Sequence, residues 1–159
     1  MDPFSDEIMG VKYVIAALFE EAGYYAMACD VLEIMRSDCQ RWMDEFSDKH
    51  WNDGNRARVK KNMVQINVKL AELYDSKYVN EPDNAEKLLV EAVESVLTEH
   101  QRRETDGLKP GEGDFMTNDE MGATLEGKLS LSYTAQFACV IAYFTQLSAS
   151  TTSRMTRIT

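Results

Sequence analysis

Two stretches of the chain repeat one arrangement of large and small apolar residues, and that arrangement leaves few folds open. Ile15 and Ala16 are adjacent, and Phe19 follows three residues after Ala16; Leu70, Ala71 and Tyr74 repeat the set. Each set is followed, past a short polar break, by a second run in which apolar residues recur at intervals of four and three. These are Ala28, Leu32 and Met35 in the first case and Ala85, Leu89 and Ala92 in the second. The spacing is helical, not strand-like. Small residues at fixed places let two antiparallel helices approach closely, and large neighbours fill the gaps.

The flanking residues divide the chain into helices on this period. Residues 5–22 read as the first, with Ser5 as cap, Asp6 and Glu7 in its first turn, and Gly23 as its stop. Residues 24–47 form the second, with Trp42 and Phe46 near its end, and 50–55 (HWNDGN) form a turn. Residues 56–77 make the third. Pro82 opens a fourth, 82–103, with Asn80 as a candidate cap and the cations of HQRR on the negative end of its dipole. Residues 104–116 read as a loop rich in glycine. Thr117 and Glu120 then suit a capping box for a fifth helix, and a sixth fits 133–148. No alternating run of strand length occurs, so the expected class is all-α.

The paired arrangement resembles the tetratricopeptide (TPR) repeat, a helix pair of about 34 residues that stacks into a solenoid. The resemblance implies an α-solenoid of about three antiparallel helix pairs. The connection before the second helix of the second pair, YVNEPD, is about two residues longer than usual. The third pair is atypical: NDEMGATLEG opens it correctly, but KLSLSY replaces the large–small–aromatic set. The expected organisation is a repeat domain over 1–126, an atypical final helix or helices over 127–150, and a Ser/Thr-rich tail over 151–159.

The segments MDPFSDEIMGVK, VKLAELYDSKYVNEPDNAEKLLVEAVESVL and GEGDFMTNDEMGATLEG also resemble the TPR region of fungal adaptor subunits of the mitochondrial inner-membrane i-AAA protease. That resemblance spans residues 1 to about 127. It implies a non-enzymatic adaptor that faces the intermembrane space and presents unfolded proteins to the protease. No amino-terminal anchor, signal peptide or transit peptide is visible, so the chain as it stands would be expected in the cytosol.

A TPR array carries its ligand on the concave face made by the first helix of each pair. Carrying that pattern over by position places Tyr13, Ala17 and Glu20 on the face from the first pair. Gln65, Val68, Glu72 and Asp75 come from the second. The clamp of Lys, Asn and Arg by which some TPR domains hold chaperone tails is missing, because Tyr13, Ala17 and Val68 stand in its places. Carboxylates mixed with apolar groups suit an extended basic or apolar segment.

The chain has a net charge of −10 and a pI near 4.7. Neither nucleic acid nor an anionic membrane fits that balance, since both need a clustered basic face. Every Asp and Glu lies at or before Glu126, and only Lys128, Arg154 and Arg157 are charged beyond it. The charge-free run from Leu129 to Ser153 has the length of a membrane span but is diluted by Ser, Thr and Gln, so no span is expected. An uncapped apolar edge on the broken third pair would instead suit a homodimer.

Nothing in the sequence points to catalysis. His50 and His100 form no metal-spaced pair, and no P-loop, GxSxG or CxxC motif occurs. PGEGD, 110–114, lacks the alternating oxygen ligands of a calcium loop. No cofactor or metal is expected. Cys29 and Cys39 fall ten residues apart on one helix, about 15 Å, too far for a bond to each other. With Cys139 they read as reduced, buried thiols.

Overall fold

The computed structural model describes residues 5–47 and 54–108, with Gly113 and Phe115. Among these there are four α-helices and no strand: α1 (Asp6–Glu21), α2 (Tyr25–Phe46), α3 (Asn55–Asp75) and α4 (Pro82–Asp106). The expected fifth and sixth helices, the third pair and the tail lie outside the described residues, as do most of the 50–55 turn and His50.

Local chemistry sets the helix ends. The Ile8 amide donates to Ser5 Oγ at 3.4 Å, closing the cap expected there. At the other end Gly23 takes φ +80°, where a side chain would be strained. The Tyr24 amide then reaches Phe19 O at 2.8 Å and the Gly23 amide reaches Glu20 O at 3.0 Å, a Schellman closure. Only Ala22–Tyr24 separate α1 from α2, so the chain reverses at once.

The longer connection from α3 to α4 corrects one expectation. Asn80 does not cap α4; Glu81 occupies that position and Pro82 follows as the first helical residue. Asn80 instead adopts φ +55°, which Asn tolerates better than most residues, and its amide donates to Ser76 O at 2.8 Å. The Glu81 amide donates to Tyr74 O at 2.7 Å, so the two extra residues make a closed turn. Tyr78, in this turn, stacks on Tyr25 at the start of α2, with ring centroids 4.2 Å apart and planes 6° from parallel. The two connections therefore meet at one end of the stack.

Each helix packs on the next in chain order: α1 on α2, α2 on α3, α3 on α4. The cross-links show that every neighbouring pair is antiparallel. Lys12 meets Asp38 across α1 and α2, Tyr74 meets Glu33 and Arg36 meets Asn67 across α2 and α3, and Arg56 meets Glu99 across α3 and α4. This is an all-α, helical-repeat-like fold.

The large–small sets occupy the seams. Leu70, Ala71, Ala85, Leu89 and Ala92 are all fully buried, as is Ala28. Alanine at these places allows the backbones to come together, while each buried leucine contributes about 1.5–3 kcal/mol by leaving water. A second cluster, Val64, Ala92, Val96 and Phe115, closes the far side of α3 and α4, and Val68 touches both clusters. The loop expected over 104–116 is thus shorter at its start and anchored within. α4 runs on to Asp106, and Phe115 packs into the stack under the Arg103 guanidinium, 5.5 Å from its ring centroid.

Candidate functional site

The face shared by α1 and α3 carries the residues that the sequence places in the concave surface. Tyr13 and Gln65 come together in a groove of about 200 Å³ whose other walls are Met9, Gly10, Met35, Asn62 and Ile66. Tyr13 and Gln65 are exposed, so a phenol and a carboxamide line the mouth over an apolar floor. Gly10 has open space where a Cβ would stand, which leaves the wall of α1 low at this point.

The second part of the face is polar. Lys69 of α3 reaches Glu20 of α1, with its Nζ donating to Oε1 at 3.1 Å and lying 3.0 Å from Oε2. It also lies 3.6 Å from Glu72 Oε2 on its own helix. Burial works against the Lys69 charge, but Glu20 and then Glu72 outweigh it and raise its pKa. Lys69 therefore joins two expected site residues that lie on different helices. Nothing singled it out in the sequence, although its spacing of three from Glu72 is visible there.

The remaining expected residues divide. Asp75 is exposed at the end of α3, while Ala17 is half-buried three residues before Glu20 on α1. Val68 is half-buried and packs against both core clusters, so its side chain belongs as much to the interior as to the face. Of the expected residues, Tyr13 and Gln65 are exposed at the groove and Glu72 and Asp75 beyond it, while Glu20 and its partner Lys69 are half-buried.

A wider cleft of about 790 Å³ opens on the other side, between α2 and α4 with α3 as its floor. Arg36 crosses it. Its Nε donates to Asn67 Oδ1 at 2.9 Å, and its guanidinium pairs with Glu91 on the opposite wall. The walls are tied together by the protein's own charges.

Among the described residues no group of His, Cys, Asp and Glu could hold a metal ion. Cys29 and Cys39 are free and buried. Burial, and after it the neighbouring carboxylates, pushes both thiols up to about 11, so they are protonated and unreactive at neutral pH. His100 lies 3.5 Å from Glu104 one turn on, at the exposed end of α4. Cys139 lies outside the described residues. Among the described residues no helix is long and apolar enough to cross a membrane.

Compared with family models, with characterised proteins and with solved structures, the chain matches none of them.

Proposed function

We propose that the protein is a non-enzymatic, TPR-like binding scaffold that holds extended or unfolded protein segments on the α1/α3 face. The observation that carries this reading is the pairing of an apolar-floored groove at Tyr13 and Gln65 with the carboxylates of Glu20, Glu72 and Asp75 on the same face. A segment with one apolar side chain for the groove and basic residues beyond it would satisfy both halves. Such binding is sequence-tolerant, because a single shallow groove and solvated charges discriminate weakly.

The resemblance to adaptor subunits of the i-AAA protease gives the reading its biological form: delivery of unfolded clients to that protease at the inner mitochondrial membrane, on the side of the intermembrane space. The helical pairs, the small residues in their seams and the acidic α1/α3 face are all compatible with it.

The test is capture from detergent-solubilised fungal mitochondria on the immobilised full chain, read by mass spectrometry. A variant with Tyr13, Glu72 and Asp75 replaced by Ala serves as control. Recovery of the i-AAA protease or its unfolded clients, lost in the variant, supports the adaptor function and the face together. Recovery that survives the triple substitution removes the face from the account. Recovery of neither protease nor clients removes the adaptor function.

A further inference from the structure

The outer side of α1 carries a run of large apolar residues that no described helix covers. Val11, Val14, Ile15 and Leu18 are exposed by 59, 58, 39 and 58%. In the internal register Ile15 corresponds to Leu70, so Val11 and Leu18 correspond to Ile66 and Leu73. Those three residues of α3 are exposed by only 0, 2 and 3%, on a helix against which α2 packs. The outer side of α1 thus has the chemistry of a surface that, one repeat later, receives a helix.

Its spacing is that of a helix seam. Glu7, Val11, Val14, Leu18 and Glu21 follow one another at intervals of four, three, four and three, the pattern that meets a partner helix in a coiled coil. Met27, Val31, Ile34 and Asp38 of α2 have the same spacing. Asp38 turns toward α1, where Lys12 Nζ lies 2.6 Å from its Oδ2, so this side of α2 borders α1. Met27 and Ile34 are exposed as well. Two apolar stripes therefore run side by side on one edge of the stack.

Charge indicates what fits there. The α1 stripe begins and ends on exposed carboxylates, Glu7 and Glu21. A second copy of α1 laid antiparallel would set Glu7 against the copy's Glu21, and a parallel copy would set each against itself. Like charges opposed at both ends disfavour self-pairing. We propose that this edge docks a helix of a partner protein, one with apolar residues at intervals of four and three and Lys or Arg at both ends of the stripe. The stripe from Glu7 to Glu21 is about 21 Å long, so four turns of the partner suffice. This site is separate from the α1/α3 face and does not depend on the client reading.

The test measures fluorescence anisotropy of two labelled helical peptides of about 18 residues on the full chain. Both carry Leu at intervals of four and three; one ends in Lys, the other in Glu. The Lys-ended peptide is expected to bind with a Kd on the order of micromolar and the Glu-ended one at least about tenfold more weakly. Val14→Gln with Leu18→Gln, two exposed positions given a good helix former, should abolish binding with an unchanged circular dichroism spectrum. Glu7→Lys with Glu21→Lys should reverse the preference. Equal affinity for the two peptides, binding that survives the glutamine pair, or no binding at all would overturn the proposal. So would a dimer of the full chain in sedimentation that the glutamine pair dissociates, since the occupant would then be a second copy.

Discussion

Arg56 and Glu99 stand 43 residues apart in the chain, yet Arg56 Nη1 donates to Glu99 Oε1 at 2.9 Å. Glu99 is 1% exposed and is the centre of a cluster that holds α4 to α3. Arg102 donates to it at 2.7 Å and Arg103 at 3.0 Å from its own helix, while Lys60 Nζ lies 3.6 Å away on α3. One buried carboxylate thus answers four cations. Removing its charge takes away the buried carboxylate that those cations share, so Glu99→Gln should lower unfolding free energy by about 3 kcal/mol. Urea denaturation at neutral pH checks this. An unchanged midpoint would mean that the cluster contributes nothing net.

The same residue makes the fold acid-sensitive in a defined window. Burial alone would raise the Glu99 pKa, but the hydrogen bonds from Arg102, Arg56 and Arg103 prevail and hold it down at about 2, against an ordinary value of 4.5. The folded state therefore binds this proton less readily than the unfolded chain does. The resulting stability is fully present above about pH 4.5 and is lost as pH falls from there toward 2, on the order of 2–3 kcal/mol in all. The gap in denaturation midpoint between the wild type and Glu99→Gln should narrow from pH 7 to pH 3, and close only as pH approaches 2. Parallel pH profiles would show that other carboxylates carry the acid sensitivity.

Ala71 and Leu70 are neighbours with opposite tolerances. Both are completely buried. Leu70→Ala should cost about 2–5 kcal/mol through lost burial and the cavity it leaves. Ala71→Leu is an enlargement in a seam where backbones converge, and should cost about 1–3 kcal/mol through overpacking. Thermal melts of the two variants distinguish a close-packed seam from a loose one; a neutral Ala71→Leu would show that the helices are not held at close approach.

Gly10 has no positive φ and nothing within 4 Å of an added Cβ. Glycine in the interior of α1 costs helix stability without a packing reason. Gly10→Ala should therefore raise stability by about 0.5–1 kcal/mol. Because Gly10 lines the groove at Tyr13, the same variant should weaken client binding by narrowing it. Melting temperature and client affinity then move in opposite directions; a gain in both would sink the role given to the groove.

Cys29 and Cys39 should resist thiol reagents in the folded protein. Burial and nearby acids hold both thiols at about 11, so little thiolate exists even at pH 8. Labelling with a chromogenic disulfide at pH 8 should be slow for these two and fast in denaturant, and peptide mapping separates them from Cys139. Rapid native labelling of either would contradict the burial.

The helices were legible because their signals are local. Ser5, Gly23 and Pro82 act within a turn of the positions they mark, and the apolar period of each helix survives in the linear chain. So do the alanines: a small residue repeated in register with a large one announces a close helix contact wherever the helices end up. Asn80 shows where this stops. Its type suited either a cap or a left-handed turn residue, and the choice depended on how Ser76 and Glu81 closed the connection.

The sequence by itself determined the all-α class, the four helices between Ser5 and Arg103, and which of their sides are apolar; the last turn of α4, to Asp106, came only with the structure. Tertiary structure decided what those sides meet. Ile15 and Leu70 read alike, yet one is exposed by 39% and the other by 0%, because among the described helices only α3 has one seated on that side. Glu99 reads as one more surface acid at i−3 and i−4 from two arginines, and becomes the buried centre of a cluster only when α3 brings Arg56 and Lys60 to it. Lys69 likewise became part of the α1/α3 face when folding brought Glu20 within 3.0 Å. Periodicity is a property of neighbours along a helix, whereas burial and ion pairing depend on which helices lie side by side in space.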